Sequence, residues 1–236
     1  MDYEIVELEK KTVAGLYDRT SNSDSDMPLK IGGLWQSFYG GVIQKIPNKA
    51  GETAIGLYTN YENGVQGAYD VMVCCEVTGA GELPENVKIS AIPAGKYAKF
   101  IFHGDTHNGM AAFWREIWNT DLSRKFSCDF EEYLPSDDYT NAQVNIYIAL
   151  HDFCQSCGMP MTQEEQYGTE KDGSKNKDYC CYCYQNGAFT ADCTMEQMID
   201  FCLDYEKDSG MYEDRNQARA AMLEWFPTLK RWHKKY

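Results

Sequence analysis

Two CxxC pairs in the last third of the chain constrain its folding more than any other feature. Cys154 and Cys157 form the first pair, and Cys180 and Cys183 form the second. A CxxC turn directs two thiolates at one point, and a tetrahedral zinc ion needs two such turns brought together by the fold. The polar insert TEKDGSKNKD between the pairs is typical of a loop, whose length is easily tolerated. The spacing therefore predicts one zinc ion bound by these four cysteines.

Four thiolates close the coordination sphere of zinc and leave no position for water, which predicts a structural metal and not a catalytic one. Cys181 lies between two ligand positions and is interpreted as a spare thiol. Three alternatives stay open: His151 in place of one cysteine, a redox dithiol, or buried free cysteines. Gly158 directly after Cys157 suits the positive φ of a metal knuckle.

Charge and hydropathy narrow the class of protein. The formal net charge of -14 disfavours direct binding to nucleic acid, which depends on Lys and Arg displacing counterions. The basic end LKRWHKKY is interpreted as a solvated helix end, with a binding arm as the alternative. The chain has no signal-peptide pattern and no apolar run of the roughly 18 residues that a membrane span requires. We therefore expect a cytoplasmic protein without membrane contact.

The carboxyl-terminal part resembles a known domain. The stretch from CQSCGMPM through KDYCCYCYQNGAFT to TMEQMI is similar to the zinc-ribbon domain found at the ends of many bacterial proteins. This resemblance implies the four cysteine ligands and no reaction. Thr194 and Gln197 form a capping-box pattern that predicts a helix through Tyr205, and a second helix is predicted at 215–225. We expect a domain at 153–236 that comprises the ribbon and a helical tail.

Periodicity predicts an α+β fold for the first domain, at residues 1–152. Strand-like alternation, a helix at 29–46 and two further strands are followed by the same order of elements again. The pattern therefore predicts two β-α-β-β repeats that share one antiparallel sheet. We expect both helices on one face of this sheet and a cleft on the other.

Five motifs in order carry a second resemblance. DYEIVELEKKTVAGLY, YDVMVCCEV, IPAGKYAKFIFHG, FEEYL and VNIYIAL resemble the gyrase-inhibitor-like (GyrI-like) small-molecule-binding domain. That domain is also the effector-binding module of bacterial multidrug-responsive transcription activators. The resemblance implies a pocket for amphipathic, often cationic or aromatic, compounds. No room for a helix-turn-helix segment precedes the first strand, so we expect any regulation to act through a protein partner.

Strand alternation selects the candidate ligand-binding residues. It assigns Asn145 and Tyr147 to the cleft in one half, and Asp70 and Met72 to the cleft in the other half, with Asp70 opposite Asn145. The resemblance implies a glutamate at the position of Asn145, where an amide supplies no charge. Glu131 and Tyr133, in the family's FExY pattern, are candidates for the missing carboxylate and for a phenol. Aromatic candidates for the walls are Tyr58, Trp35 and Trp114, with Phe38 and Trp118, although their helical spacing is equally typical of a core.

Three functions are compatible with this sequence. The leading hypothesis is a protein that binds small amphipathic molecules, as a sensor or a sequestering protein, with zinc as a structural cofactor. The second is a hydrolase of reactive small molecules in which Glu131 activates water. The third is a protein inhibitor whose acidic surface binds a topoisomerase-like partner.

Overall fold

The computed structural model describes residues 1–79, 81–205, 212 and 214–233. The chain divides into two compact units, Met1–Leu150 and His151–Tyr236. Within the described ranges, no helix is both long enough and apolar enough to cross a membrane.

The first unit has the predicted α+β fold, and each half places two strands before its helix. The elements of the first half are β1 (Glu4–Leu8), β2 (Lys11–Ser21), α1 (Met27–Ser37), a π-helical turn (Phe38–Val42), α2 (Ile43–Lys45), β3 (Lys49–Thr59) and β4 (Ala68–Val77). Those of the second half are β5 (Lys88–Ile92), β6 (Gly95–Gly104), α3 (Met110–Trp118), β7 (Arg124–Tyr133), a 3-10 turn (Tyr139–Asn141) and β8 (Ala142–Leu150).

The helix predicted at 29–46 consists of three short segments. Its regular part ends at Ser37, and a π-helical turn follows. Gly41 within that turn has φ 140°, a conformation that an α-helix does not contain. The helical segment that follows α1 is therefore kinked at Gly41.

All eight strands form one antiparallel sheet in the order β1-β6-β8-β7-β3-β4-β2-β5. Strands β3 and β7 join the two halves in the middle of the sheet. The first strand of each half pairs with the opposite half, because β1 pairs with β6 and β5 pairs with β2. The repeats therefore exchange their edge strands, which the order of elements along the chain does not reveal.

Both helices cover the same face of this sheet. Leu34 and Trp35 of α1 pack against a buried cluster that includes Ala54. Residues of α3 pack against a second buried cluster, which Tyr133 also contacts. Ala54 and Tyr133 are direct partners across β3 and β7, so the two clusters share one face. The prediction that both helices lie on one face is thus correct.

The expected cleft on the opposite face is wrong. There the sheet curls around a third apolar cluster that contains side chains of both halves, among them Val13, Met72, Cys74, Phe130 and Tyr147. These side chains are at most 7% exposed. Because the curl brings the two halves together, these side chains fill the space in which the sequence predicted a binding site.

Over its described residues, the second unit contains short strand pairs and two α-helices. Its elements are β9 (Asp152–Phe153), β10 (Pro160–Met161), β11 (Tyr167–Thr169), β12 (Lys175–Cys180), β13 (Tyr184–Gln185), β14 (Ala188–Phe189), α4 (Met195–Tyr205) and α5 (Arg215–Trp225), with 3-10 turns at Glu164–Gln166 and Phe226–Thr228. The Thr194 amide donates to Gln197 Oε1 (2.9 Å), and the Gln197 amide donates to Thr194 Oγ1 (3.2 Å). The predicted capping box therefore opens α4.

The basic carboxyl end is not a solvated helix end over its described part. Residues 229–233 follow the last 3-10 turn and contact the first CxxC pair. The Arg231 amide donates to the Gln155 carbonyl (3.1 Å), and its guanidinium donates to Ser156 Oγ (2.9 Å). Trp232 Nε1 donates to the Ser156 carbonyl (2.7 Å). Lys234, Lys235 and Tyr236 of the same basic cluster lie outside the described residues.

Candidate functional site

A cavity of about 950 Å³ lies on the helix-covered face of the first unit. Such a volume is ample for a drug-sized molecule. Residues of α1 and α3 form its walls, and residues of the central strands form its floor. The lining residues include Trp35, Tyr39, Tyr58, Tyr61, Tyr69, Met110, Trp114, Trp118, Arg124, Glu131 and Tyr133.

Glu131 on β7 is the acidic group of this cavity. Its side chain lies in the middle of the sheet, and the residue is only 2% exposed. The hydroxyls of Tyr58 and Tyr133 donate to Oε2 at 3.1 and 3.0 Å, and the indole N–H of Trp114 donates to Oε1. Desolvation raises the pKa of Glu131, and the three donors oppose that shift.

The partners of Glu131 are all neutral. Burial raises the pKa of Tyr58 and of Tyr133 well above the ordinary value, so both hydroxyls stay protonated and act as donors. Among the described residues, no lysine or arginine forms an ion pair with Glu131. When Glu131 is ionised, its negative charge is therefore hydrogen-bonded but has no neutralising cation from the protein.

Asp129 provides a contrast on the same strand. It is fully buried, but Arg124 donates to its Oδ2 at 2.7 Å as an ion pair. Tyr61 also donates to Oδ2 (3.0 Å), and the Ala149 amide donates to Oδ1 (2.9 Å). The charge of Asp129 is thus neutralised within the protein, whereas Glu131 has no such ion pair among the described residues.

Aromatic rings surround the carboxylate of Glu131. Trp35 meets Tyr133 edge to face with 4.7 Å between the ring centroids, and Tyr58 meets Trp114 at 5.7 Å. Trp35 also stacks on Tyr39 at 5.9 Å. Rings present a negative π face, which attracts cations within about 6 Å of the centroid. The cavity therefore combines a floor that carries a buried carboxyl group with aromatic walls.

Five of the residues predicted from the sequence lie together in this cavity. They are Tyr58, Glu131, Tyr133, Trp35 and Trp114. Trp118 lines the cavity as well, whereas Phe38 is fully buried in the cluster under α1.

Four predicted residues lie elsewhere. Strand alternation places them on the face of the sheet opposite the helices. Asp70 pairs with Arg19 (2.6 Å) and accepts from Asn60 (2.7 Å). Met72 and Tyr147 belong to the apolar cluster inside the curl. Asn145 is 7% exposed and bonds Gln143, and two strands separate it from the strand of Asp70. The predicted pair of Asp70 and Asn145 is therefore wrong.

The sequence interpretation missed Met110 and Tyr39, although their spacing from the predicted Trp114, Trp118 and Trp35 is a signal for them. Met110, Trp114 and Trp118 recur every four residues along α3 and all line the cavity. Trp35 and Tyr39 have the same spacing. This spacing is equally typical of a core stripe, but α1 contains no buried residue. Tyr69 on β4 also lines the cavity and was not a candidate.

The second unit contains a candidate metal centre. The sulfur atoms of Cys154, Cys157, Cys180 and Cys183 all lie within 4.8 Å of one another, and all four thiols are free. The sulfurs of Cys157 and Cys180 are 3.8 Å apart. Zn–S bonds of about 2.3 Å in a tetrahedron separate sulfurs by roughly 3.8 Å, so this donor set fits zinc.

The surroundings of the four sulfurs support a closed site. The Cys180 amide donates to Cys154 Sγ (3.3 Å). Gly158 has φ 79°, as the metal knuckle required, and a Cβ at this position would lie 2.6 Å from the Trp225 ring. Cys181 and His151 are not members of the four-sulfur cluster. The sequence-derived ligand set is thus brought together by the fold.

Comparison with known proteins agrees with this two-part organisation. The family model described as "Integron-associated effector binding protein" matches residues 4–150, and the model described as "Putative zinc ribbon domain" matches residues 153–233. The "Putative transcriptional regulator protein YobU" of Bacillus subtilis (strain 168) is 32% identical over 153 residues, which cover 62% of this chain and 96% of that protein.

Two solved structures are similar to the first unit. An integron cassette protein from the mobile metagenome of Vibrio cholerae is 32% identical, with a TM-score of 0.52, over 62% of this chain and 94% of its own. SAV2435, solved in complex with tetraphenylphosphonium, is 20% identical over 63% of this chain and 93% of its own, with a TM-score of 0.54, which supports the fold. The chain therefore belongs, through its first 150 residues, to the GyrI-like family of integron-associated effector binding proteins, and it continues into a zinc ribbon domain.

Proposed function

We propose that the first unit binds small cations that carry aromatic groups, and that the protein acts as a sensor or a sequestering protein for them. The observation that carries this proposal is the buried carboxylate of Glu131, which has three neutral donors and no cationic partner among the described residues. A buried charge without a partner is unfavourable. A cationic ligand would supply the missing charge and so gain affinity that a neutral ligand of the same shape would not.

The aromatic walls favour the same class of ligand. Trp35, Tyr58 and Trp114 surround the carboxylate and offer their π faces or edges to a bound molecule. A cation over such a ring gains about 0.5 to 2 kcal/mol, depending on desolvation. Two relatives are consistent with this function: YobU is named a transcriptional regulator, and SAV2435 is described as bound to tetraphenylphosphonium, an aryl cation.

The second unit supplies a structural element in this proposal. Zn²⁺ held by four thiolates has no open position for a substrate, so it would stabilise the ribbon and take no part in ligand chemistry. The net charge of -14 disfavours direct binding to nucleic acid, and we predict that the protein does not bind it directly.

The decisive experiment compares a cation with a neutral molecule of similar size. Tetraphenylphosphonium and neutral triphenylphosphine oxide are titrated into the full chain, and binding is followed by tryptophan fluorescence and calorimetry. We expect the cation to bind at least about tenfold more tightly. Glu131→Gln should remove most of that preference and leave the affinity for the neutral molecule within about twofold.

Glu132→Gln is the matched control. Glu132 is the next residue on β7, but it points to the opposite face, where it pairs with Lys11 (2.8 Å) and accepts from Tyr147 (2.9 Å). This variant should bind both molecules like the parent protein. Equal binding of the cation by the parent and by Glu131→Gln would refute the proposed function.

A further inference from the structure

Gly56 on β3 is the direct cross-strand partner of Glu131 on β7. A Cβ atom at this glycine would lie 2.8 Å from Glu131 Oε2, a separation that real Cβ contacts essentially never show. Its next neighbours, Trp35 Cζ2 at 3.4 Å and Tyr58 Oη at 3.7 Å, would be in ordinary contact. The missing side chain of Gly56 therefore leaves room for one group in particular, the carboxylate of Glu131.

The atom that occupies this space is Oε2, the carboxylate oxygen to which both tyrosine hydroxyls donate. Oε2 accepts from Tyr58 at 3.1 Å and from Tyr133 at 3.0 Å, whereas Trp114 donates to the other oxygen. A methyl group at position 56 would displace Oε2 and disturb both tyrosine hydrogen bonds. The conflicting atom is the end of a flexible side chain, so the carboxylate and not the backbone would move.

We propose that Gly56 is a positioning residue that determines how strongly the cavity discriminates cations from neutral molecules. Without a side chain at this position, Glu131 lies flat against the sheet, with its charge fixed between two phenols and an indole. This inference rests on the proposed function, because it concerns the charge that a cationic ligand would meet. It adds a residue that has no atom to offer the ligand and acts only through Glu131.

The test uses Gly56→Ala, with Gly33→Ala as a matched control. Gly33 lies on α1 outside the lining of the cavity, and a Cβ there would meet no atom within 4 Å. Tetraphenylphosphonium and triphenylphosphine oxide are titrated into the parent and both variants. We expect Gly56→Ala to weaken binding of the cation by about tenfold and to change the neutral molecule by less than about twofold. Gly33→Ala should keep the parent's preference for the cation.

Two readouts separate positioning from a general narrowing of the cavity. The midpoint of cation binding against pH should shift upwards in Gly56→Ala, because the ionised carboxylate loses hydrogen-bond donors. In a Glu131→Gln background, Gly56→Ala should have no further effect on the cation, since no charge remains to be positioned. Equal losses for the cation and the neutral molecule, or equal losses in both backgrounds, would overturn the inference.

Failure of the proposed function and failure of this inference give different results. If the parent protein does not prefer the cation, the proposed function fails and this inference falls with it. If the parent prefers the cation and Gly56→Ala keeps that preference, only this inference fails. Should Gly56→Ala not fold, the double variant Gly56→Ala/Glu131→Ala decides: a folded double variant supports a conflict with the Glu131 side chain, and an unfolded one overturns it.

Discussion

Glu131 and Asp129 lie two residues apart on the same face of β7, and both are buried, yet among the described residues only Asp129 of the two forms an ion pair. Successive side chains of a strand alternate between faces, which brings the two carboxylates to the helix-covered side together. Arg124 reaches one of them and not the other. Of these two buried carboxylates, the protein thus pairs Asp129 internally and leaves Glu131 at the floor of a large cavity.

The first prediction concerns the pH dependence of stability. Burial raises the folded-state pKa of Glu131 above 4.5, so above that pH the folded state retains a proton that the unfolded state has lost. The contribution of Glu131 to stability therefore falls as pH rises through this window, by up to about 1.4 kcal/mol per pH unit. Glu131→Gln should lack this loss, so the variant should gain stability relative to the parent as pH rises from 4.5.

Denaturant unfolding at several pH values measures this difference for the ligand-free protein. Asp129, whose pKa burial also raises, is present in both proteins and cancels in the comparison. A difference in unfolding free energy that does not change with pH would show that Glu131 is not desolvated as described.

The second prediction concerns the two polar residues on the other face of the sheet. Asp70→Asn should leave the affinity for tetraphenylphosphonium within about twofold, because Asp70 pairs with Arg19 and does not line the cavity. Asn145→Glu should not strengthen cation binding. It should lower the unfolding free energy by about 1 kcal/mol, since Asn145 is the direct cross-strand partner of Glu132. Titration and denaturant unfolding check both variants, and tighter cation binding by Asn145→Glu would contradict the observed facing.

The third prediction concerns metal content. Protein purified without added metal should contain one zinc ion per chain, and Cys157→Ser should lose it. Because Cys154, Cys180 and Cys183 share one buried cluster with Ile199, Leu203 and Phe226, metal loss should unfold the second unit. The first unit has a core of its own and should stay folded and bind ligand.

Elemental analysis and limited proteolysis measure these two effects. Cys181→Ser is the control, since its sulfur is not part of the four-sulfur cluster, and this variant should keep its zinc. A full complement of zinc in Cys157→Ser, or a metal content near zero in the parent, would contradict the assignment.

The fourth prediction concerns the end of the chain. Arg231 donates to Ser156 Oγ (2.9 Å) and to the Ala191 carbonyl (2.6 Å), and its guanidinium lies 4.0 Å from the centroid of the Phe189 ring. Arg231→Ala should lower the unfolding free energy of the second unit by about 1 to 2 kcal/mol and speed zinc release to a chelator. Release kinetics with a chromogenic chelator measure the effect.

Lys230→Ala provides the comparison for that prediction. The Lys230 side chain is 56% exposed and pairs with Asp178 at the surface, where an ion pair contributes about 0 to 1 kcal/mol. Equal rates of zinc release from both variants would show that the contacts of Arg231 do not stabilise the Cys154–Cys157 turn.

The metal cluster and the strands were predictable because they depend on local order along the chain. Two CxxC turns each direct a pair of sulfurs at one point, so Cys154, Cys157, Cys180 and Cys183 needed only one long-range contact to meet. The period of two in β4 and β8 was equally local, and it separated Val144 and Ile146 from Asn145 and Tyr147 correctly.

Alternation sorts side chains into two faces, but it does not say which face remains open. That depends on the curl of the sheet, in which β1 crosses to β6 and β5 crosses to β2, so that Met72 and Tyr147 are enclosed and the space between the helices stays accessible. The contact of Gly56 with Glu131 depends in the same way on the register of β3 against β7, 75 residues apart in sequence. Long-range register and closure arise from the packing of the whole sheet, and no local pattern in the chain encodes them.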